Sequence, residues 1–415
     1  MKKVLIKNLA QIATPTGKKM QKGSAMAQIT CISDGAVYIE DGIIRKVGQT
    51  AEVCAGLDEA SCQVIDGRDK CAVPGFVDSH THFIFGGYRP KEFIRRLEGA
   101  GYLEIMQMGG GIQATVDATR SSSYENLYEN GKKRLNHMLE QGITTVEGKS
   151  GYGLDFECER KQLQVMKELN EKQPVDIVPT YLGGHAVPLE YKEDADGYID
   201  YMIEKVLPRV KAENLAEFCD IFCEDSVFSI AQSERLLNAA KKLGFISKIH
   251  ADEIVTLGGA ELAARLGAAS ADHLLMISNQ GIKDLSNSDT VATLLPCTAF
   301  CLDKPYAPAR RLIDSGCAVA LASDFNPGSC FANSIPLMLA LAVIHMKMSI
   351  EEAICALTLN GAAALKRADI LGSIEVGKQA DINIIEYPDY RFLVYHTDAN
   401  LVEKVIKGGE LVYEK

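Results

Sequence analysis

Residues 73–83 read VPGFVDSHTHF, an apolar run that ends in two histidines, His80 and His82. Successive residues of a β-strand point to opposite faces, so side chains two positions apart lie on the same face. If the run is a strand, the two imidazoles stand side by side at its end, where they are natural ligands for Zn²⁺ or Fe²⁺. The pair alone is equally compatible with two hydrogen-bonded loop histidines. Residues elsewhere in the chain are needed to distinguish a metal site from such a pair.

The middle of the chain alternates such apolar runs with stretches of helical spacing, as in residues 126–142, 159–172 and 233–244. Alternating strands and helices favour a parallel sheet. Seven visible strands predict an α/β fold, a (β/α)8 TIM-type barrel, with an eighth strand hidden between Phe83 and Gln141. A doubly wound open sheet is the alternative. The six later runs are ITTVEG (143–148), VDIVPTYLGGH (175–185), FISKIHADE (245–253), ASADHLLMI (269–277), TVATLLPC (290–297) and AVALASD (318–324).

Both ends of the chain have a different sequence pattern, in which short β-rich runs are separated by turns. Asp41-Gly42 between two such runs is a strong hairpin signal. We therefore predict a small β-sandwich domain made from both termini, residues 1–72 and 366–415, around a catalytic barrel of residues 73–365.

Composition restricts the class of protein. The chain has 415 residues, 47% of them hydrophobic, and a net charge of -11. An acidic chain disfavours a nucleic-acid partner, and no apolar run reaches the length of about 18 residues that a membrane-spanning helix needs. The twelve cysteines include no C-x-x-C pair, and the N-terminus resembles an edge strand more than a signal peptide. We expect a cytoplasmic protein with reduced thiols and no membrane partner.

Polar residues with metal-binding or acid–base chemistry fall at the ends of the later strands. His185, His250, His273 and Asp324 each follow or end an apolar run, and Glu253 lies three residues after His250. In a barrel these ends form the rim where catalytic groups gather. For the remaining histidines we expect packing or solvent-exposed roles: His137, His345 and His396.

The ordered combination of PGFVDSHTHF (74–83), HADE (250–253) and SDFNPGS (323–329) resembles the amidohydrolase superfamily. The resemblance continues through GSIEVGKQADINII (372–385) and VIKGGELVY (405–413), so it covers essentially the whole chain. FGGYR (85–89), GKSGYGL (148–154) and YLGGHAVP (181–188) are similar to one branch of it, which opens the cyclic amide of an imidazolone propionate in histidine breakdown.

The resemblance implies a function for individual residues. One metal, Zn or Fe, would be held together with a water by His80, His82, His250 and Asp324. The metal would lower the pKa of that water to about 7. The resemblance also suggests a homodimer and an anionic small-molecule substrate. The implied substrate contacts are Arg89, Tyr152, His185, Asn326, Gly328 and Ser329.

Acid–base roles follow from the chemistry of ring opening. Glu253, beside substrate and the proposed ligand His250, is placed to pass a proton to the leaving ring nitrogen. His273 or Asp324 would orient the water and accept its proton, and the sequence does not separate these two. Arg89 suits a carboxylate because a guanidinium can grip it with two hydrogen bonds. Tyr102 is a weaker candidate for the same pocket.

Many members of the superfamily bridge two metals with a carboxylated lysine on the fourth strand. Our strand count puts that position near His185 and puts Lys149 at the third strand. A second metal on a modified Lys149 is therefore disfavoured, and we expect one.

Two other functions compete with this interpretation. A ring aminohydrolase of the guanine or cytosine deaminase type would use the same histidines, glutamate and aspartate, but Arg89 and the SDFNPGS loop disfavour it. A barrel that has lost catalysis and acts as a scaffold would be expected to have lost metal ligands, and all four candidates are present.

Overall fold

A computed structural model describes residues 2–99 and 110–415 of the chain. Two sheets organise these residues, one from the termini and one from the middle. The strands of the N-terminal part are β1 Lys3–Pro15, β2 Ile29–Glu40, β3 Ile43–Gln49, β4 Gln63–Asp66 and β5 Cys71–Pro74. The middle gives β6 Phe76–Asp78, β7 Ile143–Lys149, β8 Asp176–Gly184, β9 Phe218–Cys223, β10 Ile246–Ala251, β11 Ser270–His273, β12 Val291–Leu294 and β13 Val319–Leu321. The C-terminal part adds β14 Ile382–Ile385, β15 Val402–Lys407 and β16 Glu410–Glu414.

The middle strands form a parallel eight-stranded barrel, which confirms the predicted fold class. Strands β6 to β13 pair in chain order, and each pair is parallel. The two ends of the sheet meet just beyond β6 and β13, where Thr81 forms a parallel bridge with Phe325. The His82 amide also donates to the Phe325 carbonyl at 2.9 Å. Closure therefore takes place at the histidine pair itself.

The position of the hidden strand was predicted wrongly. The strand that the sequence analysis missed is β9, Phe218–Cys223, and not a segment between Phe83 and Gln141, which is helical over much of its described part. β9 carries Asp220, which is fully buried and paired with Lys149 inside the barrel. A buried charge breaks the apolar run by which a strand is recognised. Lys149 accordingly ends the second barrel strand, and His185 follows the third.

Helices cover the outside of the barrel between successive strands, as the alternating pattern predicts. Long ones begin with a side-chain cap, such as Ser123 accepting from the Asn126 amide. None of the helices in the described ranges is long and apolar enough to cross a membrane. Those of the barrel are Pro90–Leu97, Ile112–Ser121, Tyr124–Glu140, Phe156–Lys172, Ala195–Tyr201, Leu207–Ala212, Ile230–Lys242, Gly259–Leu266, Asn279–Ser286, Pro296–Cys301, Ala309–Asp314, Ile335–Ala340, Ile350–Leu357 and Leu359–Ala364; Thr50–Cys54 and Phe392–Tyr395 belong to the terminal segments.

The terminal strands form a mixed sheet in the order β16-β15-β14-β5-β1-β2-β3, with β4 also paired to β1. The sheet curls over its own apolar core, in which Ile39 and Ile44 pack with Ile382 and Ile406. The β2–β3 hairpin turns at Asp41-Gly42 with positive φ at both positions, as predicted. The β domain built from both termini is thus confirmed. The exact boundaries, 72/73 and 365/366, stay a prediction, and β5 runs across the first.

Candidate active site at the rim of the barrel

The candidate residues meet at the carboxyl ends of the barrel strands. His80 and His82 follow β6, His250 lies in β10, His273 ends β11, and Asp324 follows β13. The backbone adopts positive φ at His273 (78°) and at Asp324 (52°). This conformation is uncommon for side chains other than glycine and is often found at functional sites, where it redirects a side chain.

Their ligand atoms lie close together. His82 Nε2 is 3.3 Å from His80 Nε2, and both of these atoms are 3.5 Å from Asp324 Oδ1. His250 lies within ligand range of both His80 and His82, with its ring centroid 4.5 Å from that of His80. All four side chains are buried. The histidine and aspartate side chains that the resemblance assigns to a metal therefore converge on one point.

Two aspartates orient the imidazoles from below. His80 Nδ1 lies 2.7 Å from Asp272 Oδ2, and His250 Nδ1 lies 2.9 Å from Asp220 Oδ2. The Asp272 carboxylate accepts a hydrogen bond from His80 Nδ1–H, which leaves the Nε2 lone pair of His80 free to face the site. Burial first, and then the positive charge of Lys149, hold the pKa of His80 well below its usual value. His80 is therefore a neutral imidazole, the form that binds metals.

These atoms fit a metal ion. When both His80 and His82 present the lone pair of Nε2, these atoms at 3.3 Å repel each other unless a cation lies between them. The edge of a tetrahedron built from metal–nitrogen bonds of Zn length is about 3.4 Å, which matches the observed separations. His250 Nε2 is also buried and has no hydrogen-bond partner within the described ranges. A cation would satisfy all of these atoms at once.

Glu253 is held against the site by a residue that the sequence analysis missed. Glu253 Oε2 lies 3.5 Å from His273 Nδ1. Burial, followed by the negative charges of Asp324 and Glu224, raises the pKa of Glu253 to about 8. The Glu224 carboxylate accepts from the backbone amides of Glu253 and Ile254 at 3.0 and 2.8 Å. Because Glu224 directly follows the unrecognised strand β9, no motif pointed to it.

The side chain of Asn326 stabilises the loop after β13 by hydrogen bonds. Its side-chain oxygen accepts from the amides of Gly328 and Ser329 at 2.8 Å each, and its nitrogen donates to the Asp324 carbonyl at 2.7 Å. The amide group of Asn326 is thus engaged within the loop. The expected substrate contact of this residue stays a prediction.

Arg89, which directly precedes the helix Pro90–Leu97, packs against the same loop. A Cβ atom added to Gly328 would stand 1.4 Å from Arg89 Nη2, so the guanidinium rests on the bare glycine. Arg89 Nη1 is 3.2 Å from the Glu92 carboxylate, while its Nε is buried without a partner among the described residues. A second arginine, Arg96, donates to the Gly328 carbonyl at 2.8 Å.

Tyr152 and His185 complete one wall of the site. The His185 ring stacks on His82 with centroids 4.8 Å apart, and its Nδ1 lies 3.1 Å from the Gly151 carbonyl. Burial, the largest influence, lowers the pKa of His185 to about 3, so the ring is neutral. The buried Tyr152 lies 5.2 Å from His185 and is reached by the charges of both Arg89 and Asp324. The Tyr152 ring centroid also lies 5.8 Å from that of His82, so Tyr152 borders the metal-binding group.

The other candidates lie elsewhere. His137 and His345 are exposed, and His396 stacks on Tyr387, away from the rim. Tyr102 lies outside the residues that the structure describes.

Comparison with known proteins agrees with this geometry. The model of the Amidohydro_3 family, described as amidohydrolase family, matches residues 106–413. The chain is 57% identical over 409 residues to an imidazolonepropionase from Parabacteroides distasonis, covering 99% of this chain and 98% of that protein. It is 54% identical over 412 residues to an imidazolonepropionase from Clostridium tetani, with coverage of 99% and 98%.

The class that fold and site define is therefore the amidohydrolase family. Within it, the chain belongs to the imidazolonepropionases, because the similarity to these relatives is high and extends over nearly the full length. Among solved structures, the guanine deaminase of E. coli superposes with a TM-score of 0.73 at 17% identity and covers 100% of both chains. That likeness is one of fold alone and does not favour a deaminase.

Proposed function

We propose that this chain hydrolyses the ring amide of 4-imidazolone-5-propanoate to give N-formimidoyl-L-glutamate. The observation that carries this proposal is the convergence of Arg89, Tyr152 and the histidine–aspartate group at one rim of the barrel. The names of the relatives support the same reaction. The enzyme is a hydrolase of cyclic-amide carbon–nitrogen bonds, and its substrate is a small molecule.

Members of the amidohydrolase family are metal-dependent, and the histidine–aspartate group is suited to a metal. We propose His80, His82, His250 and Asp324 as ligands of one ion, Zn or Fe. When bound, it supplies a Lewis acid for the ring carbonyl and acidifies a water. The donor set, three imidazoles and one carboxylate, suits both metals.

Proton transfer falls to Glu253 and its neighbours. With a pKa near 8, Glu253 holds a proton at neutral pH and donates it to the ring nitrogen as the carbon–nitrogen bond breaks. His273, in contact with Glu253 and neutral because burial lowers its pKa, is a candidate to accept the proton of the attacking water. Asp324 is the other candidate, and its Oδ2 is already engaged by the Thr298 hydroxyl at 2.7 Å. Because that oxygen already accepts a hydrogen bond, we favour His273 as the acceptor of the water proton.

Binding of the substrate uses the other half of the pocket. The propionate carboxylate pairs with Arg89, whose buried Nε offers a donor that the described residues leave unfilled. Tyr152, Gly328 and Ser329 are the further substrate contacts that we propose. His185 carries its proton on Nδ1 toward Gly151, so its Nε2 can accept a hydrogen bond from a ring N–H of the substrate.

A direct assay tests the proposal. The purified enzyme should consume 4-imidazolone-5-propanoate, followed by the loss of its ultraviolet absorbance, and should lose that activity on treatment with a chelator. Ammonia release from guanine or cytosine, measured in parallel, should stay at background. Ammonia release without imidazolone turnover would replace the proposal with the aminohydrolase alternative.

We further propose a cytoplasmic homodimer without nucleic-acid or membrane partners. The twelve free thiols support a reducing compartment, the net charge of -11 argues against a nucleic-acid partner, and the resemblance to the family suggests the dimer. Light scattering of the purified enzyme would test the dimer.

A further inference from the structure

A network of five charged side chains lies inside the barrel, directly below the rim. Each member is fully buried. Lys149 Nζ donates to Asp220 Oδ2 at 2.7 Å and to Glu147 Oε1 at 2.9 Å, and it lies 3.6 Å from Asp272 Oδ2. Lys248 Nζ donates to Glu147 Oε2 at 2.6 Å. Two ammonium groups thus lie among three carboxylates in the space below the candidate metal ligands.

Lys149 joins the two carboxylates that hold the proposed ligands. Asp220 faces His250 at 2.9 Å, and Asp272 faces His80 at 2.7 Å. The same oxygen atom of each aspartate that faces the imidazole also faces the lysine. The Lys149 ammonium group thus hydrogen-bonds the acceptor of His250 and lies near the acceptor of His80, where Lys248 also stands 3.8 Å from Asp272 Oδ2.

The surroundings determine the chemical state of Lys149. Burial alone would lower its pKa, but Asp220, Glu147 and Asp272 outweigh burial and raise it. A carboxylated lysine would place another anion among three carboxylates and would lose the two hydrogen bonds that the ammonium donates. These surroundings favour an unmodified, positively charged side chain over a carboxylated lysine that bridges two metals.

We propose that Lys149 is a positioning residue that acts through Asp220 and Asp272 to hold His250 and His80 in the metal-binding orientation. The inference depends on the proposed function only in taking these histidines as ligands. Lys149 itself contacts neither substrate nor metal. Its loss would leave two aspartates of like charge without the cation between them, free to turn away or to take up protons.

The test compares metal affinity in three proteins: wild type, Lys149→Met and Lys407→Met. Lys407 is a matched control because its buried ammonium also pairs with two carboxylates, Asp176 and Asp381, at 2.6 and 2.7 Å in a place remote from the rim. Metal-free protein is titrated with Zn²⁺ against a chromophoric chelator. Changes to groups that orient metal ligands lower metal affinity about 10–100-fold. We expect that loss for Lys149→Met and no change for Lys407→Met.

A second variant covers the case in which Lys149→Met does not fold. Lys149→Gln keeps hydrogen-bond donors without the charge and should lose Zn²⁺ affinity in the same direction. Asp220→Asn tests the route of the effect: combined with Lys149→Gln, it should weaken Zn²⁺ binding less than the product of the two single losses. Unchanged Zn²⁺ affinity in Lys149→Gln, or losses that simply multiply, would overturn the proposal.

The outcomes separate this inference from the proposed function. Absence of imidazolone hydrolysis in the wild type would reject the function, while a specific loss of Zn²⁺ affinity in the Lys149 variants would still support the positioning role. Normal hydrolysis with unchanged Zn²⁺ affinity would reject the positioning role alone. Metal-free protein reconstituted with excess Zn²⁺ in the presence of bicarbonate should bind one equivalent, and two equivalents would contradict an unmodified Lys149.

Discussion

Gly328 is the residue on which Arg89 rests, and its missing side chain is a requirement of the site. An alanine Cβ would stand 1.4 Å from Arg89 Nη2 and 2.4 Å from its Cζ. The guanidinium is the flexible end of a long side chain, so it would move and the fold would survive. We expect Gly328→Ala to raise KM for the carboxylate substrate about 10–100-fold, the loss of a charged hydrogen bond, with a smaller change in kcat.

The control for this variant is Gly48→Ala in the terminal sheet. A Cβ there meets Glu52 at 3.3 Å and nothing closer, so kinetics should be unchanged. Arg89→Lys should reproduce the rise in KM because lysine lacks the planar fork of donors. A Gly328→Ala enzyme with normal KM would show that Arg89 does not bind the carboxylate.

Glu253 is expected to act on the rate and not on metal binding. Glu253→Gln removes the transferable proton but keeps the size of the side chain, so kcat should fall about 100-fold or more. Metal content, measured by atomic emission, should equal that of the wild type. Turnover close to normal would refute the proton-transfer role, and loss of metal would show that Glu253 acts on the ligands instead.

Cys301 has an unusual thiol. The neighbouring Cys330 thiol, opposed by burial and assisted by the positive charge of Arg96, lowers the pKa of the Cys301 thiol to about 7. The thiolate is the reactive form, so alkylation by iodoacetamide should rise between pH 6 and pH 8 with its midpoint near 7. Exposed Cys31, whose pKa is raised, should react slowly below pH 8. Peptide mapping by mass spectrometry measures both, and equal rates at pH 7 would contradict the assignment.

For single residues, the sequence predicted which histidines and acidic residues meet at the rim, because each lies at or just after the end of a recognisable strand. It did not predict the residues that hold them. Asp272 stands in the quoted run ASADH, yet only the fold shows that it faces His80 across 192 positions of sequence. Asp220, Glu224 and Arg96 likewise owe their roles to contacts with segments far away in the chain, which local patterns do not encode.

Residues 253–255, the first part of the loop after β10, are held in place by the Glu224 carboxylate. Glu224 accepts from three consecutive amides, those of Glu253, Ile254 and Val255. Without it, these donors would lose charge-assisted hydrogen bonds and the loop would open more often. We expect Glu224→Ala to speed hydrogen exchange at residues 253–255 and to lower kcat at least about tenfold, with metal retained.

The control is Glu234→Ala, which removes an exposed carboxylate paired with Arg265 on an outer helix. It should change neither exchange at residues 253–255 nor kcat. If Glu224→Ala left hydrogen exchange at the loop unchanged, the loop would have to be held by other contacts.

Elements were predictable where periodicity was plain. The helices over 124–140, 156–172 and 230–242 begin two or three residues before the predicted stretches, at capping positions that the apolar pattern does not mark. β9 escaped prediction because its fully buried Asp220 belongs to a charge network in the barrel interior. A strand buried on both faces is expected to be apolar throughout. β9 departs from this pattern because Asp220 faces His250.

For the whole molecule, the sequence indicated that both termini share one β domain but not how that domain is joined to the barrel. The joint lies at the end opposite the active site. Lys407 of β15 bridges Asp381 and Asp176, and Asp176 begins β8, the strand whose other end leads to His185. Asn383 of β14 donates to the Gly142 carbonyl just before β7. The β domain therefore supports the base of the barrel and leaves the rim free.

This arrangement predicts that stability and catalysis can be separated. Lys407→Met leaves the buried Asp381 without its cation, which should lower the free energy of unfolding by about 3 kcal/mol. The half-exposed Asp176 adds little because water screens its charge. Lys404→Met on the same strand removes a pair with the exposed Glu414 and should cost less than about 1 kcal/mol. Urea unfolding measures both, while kcat per folded enzyme should match the wild type, since no contact of Lys407 reaches the rim. A drop in kcat for Lys407→Met at full folding would show that the joint between the domains controls the geometry of the active site.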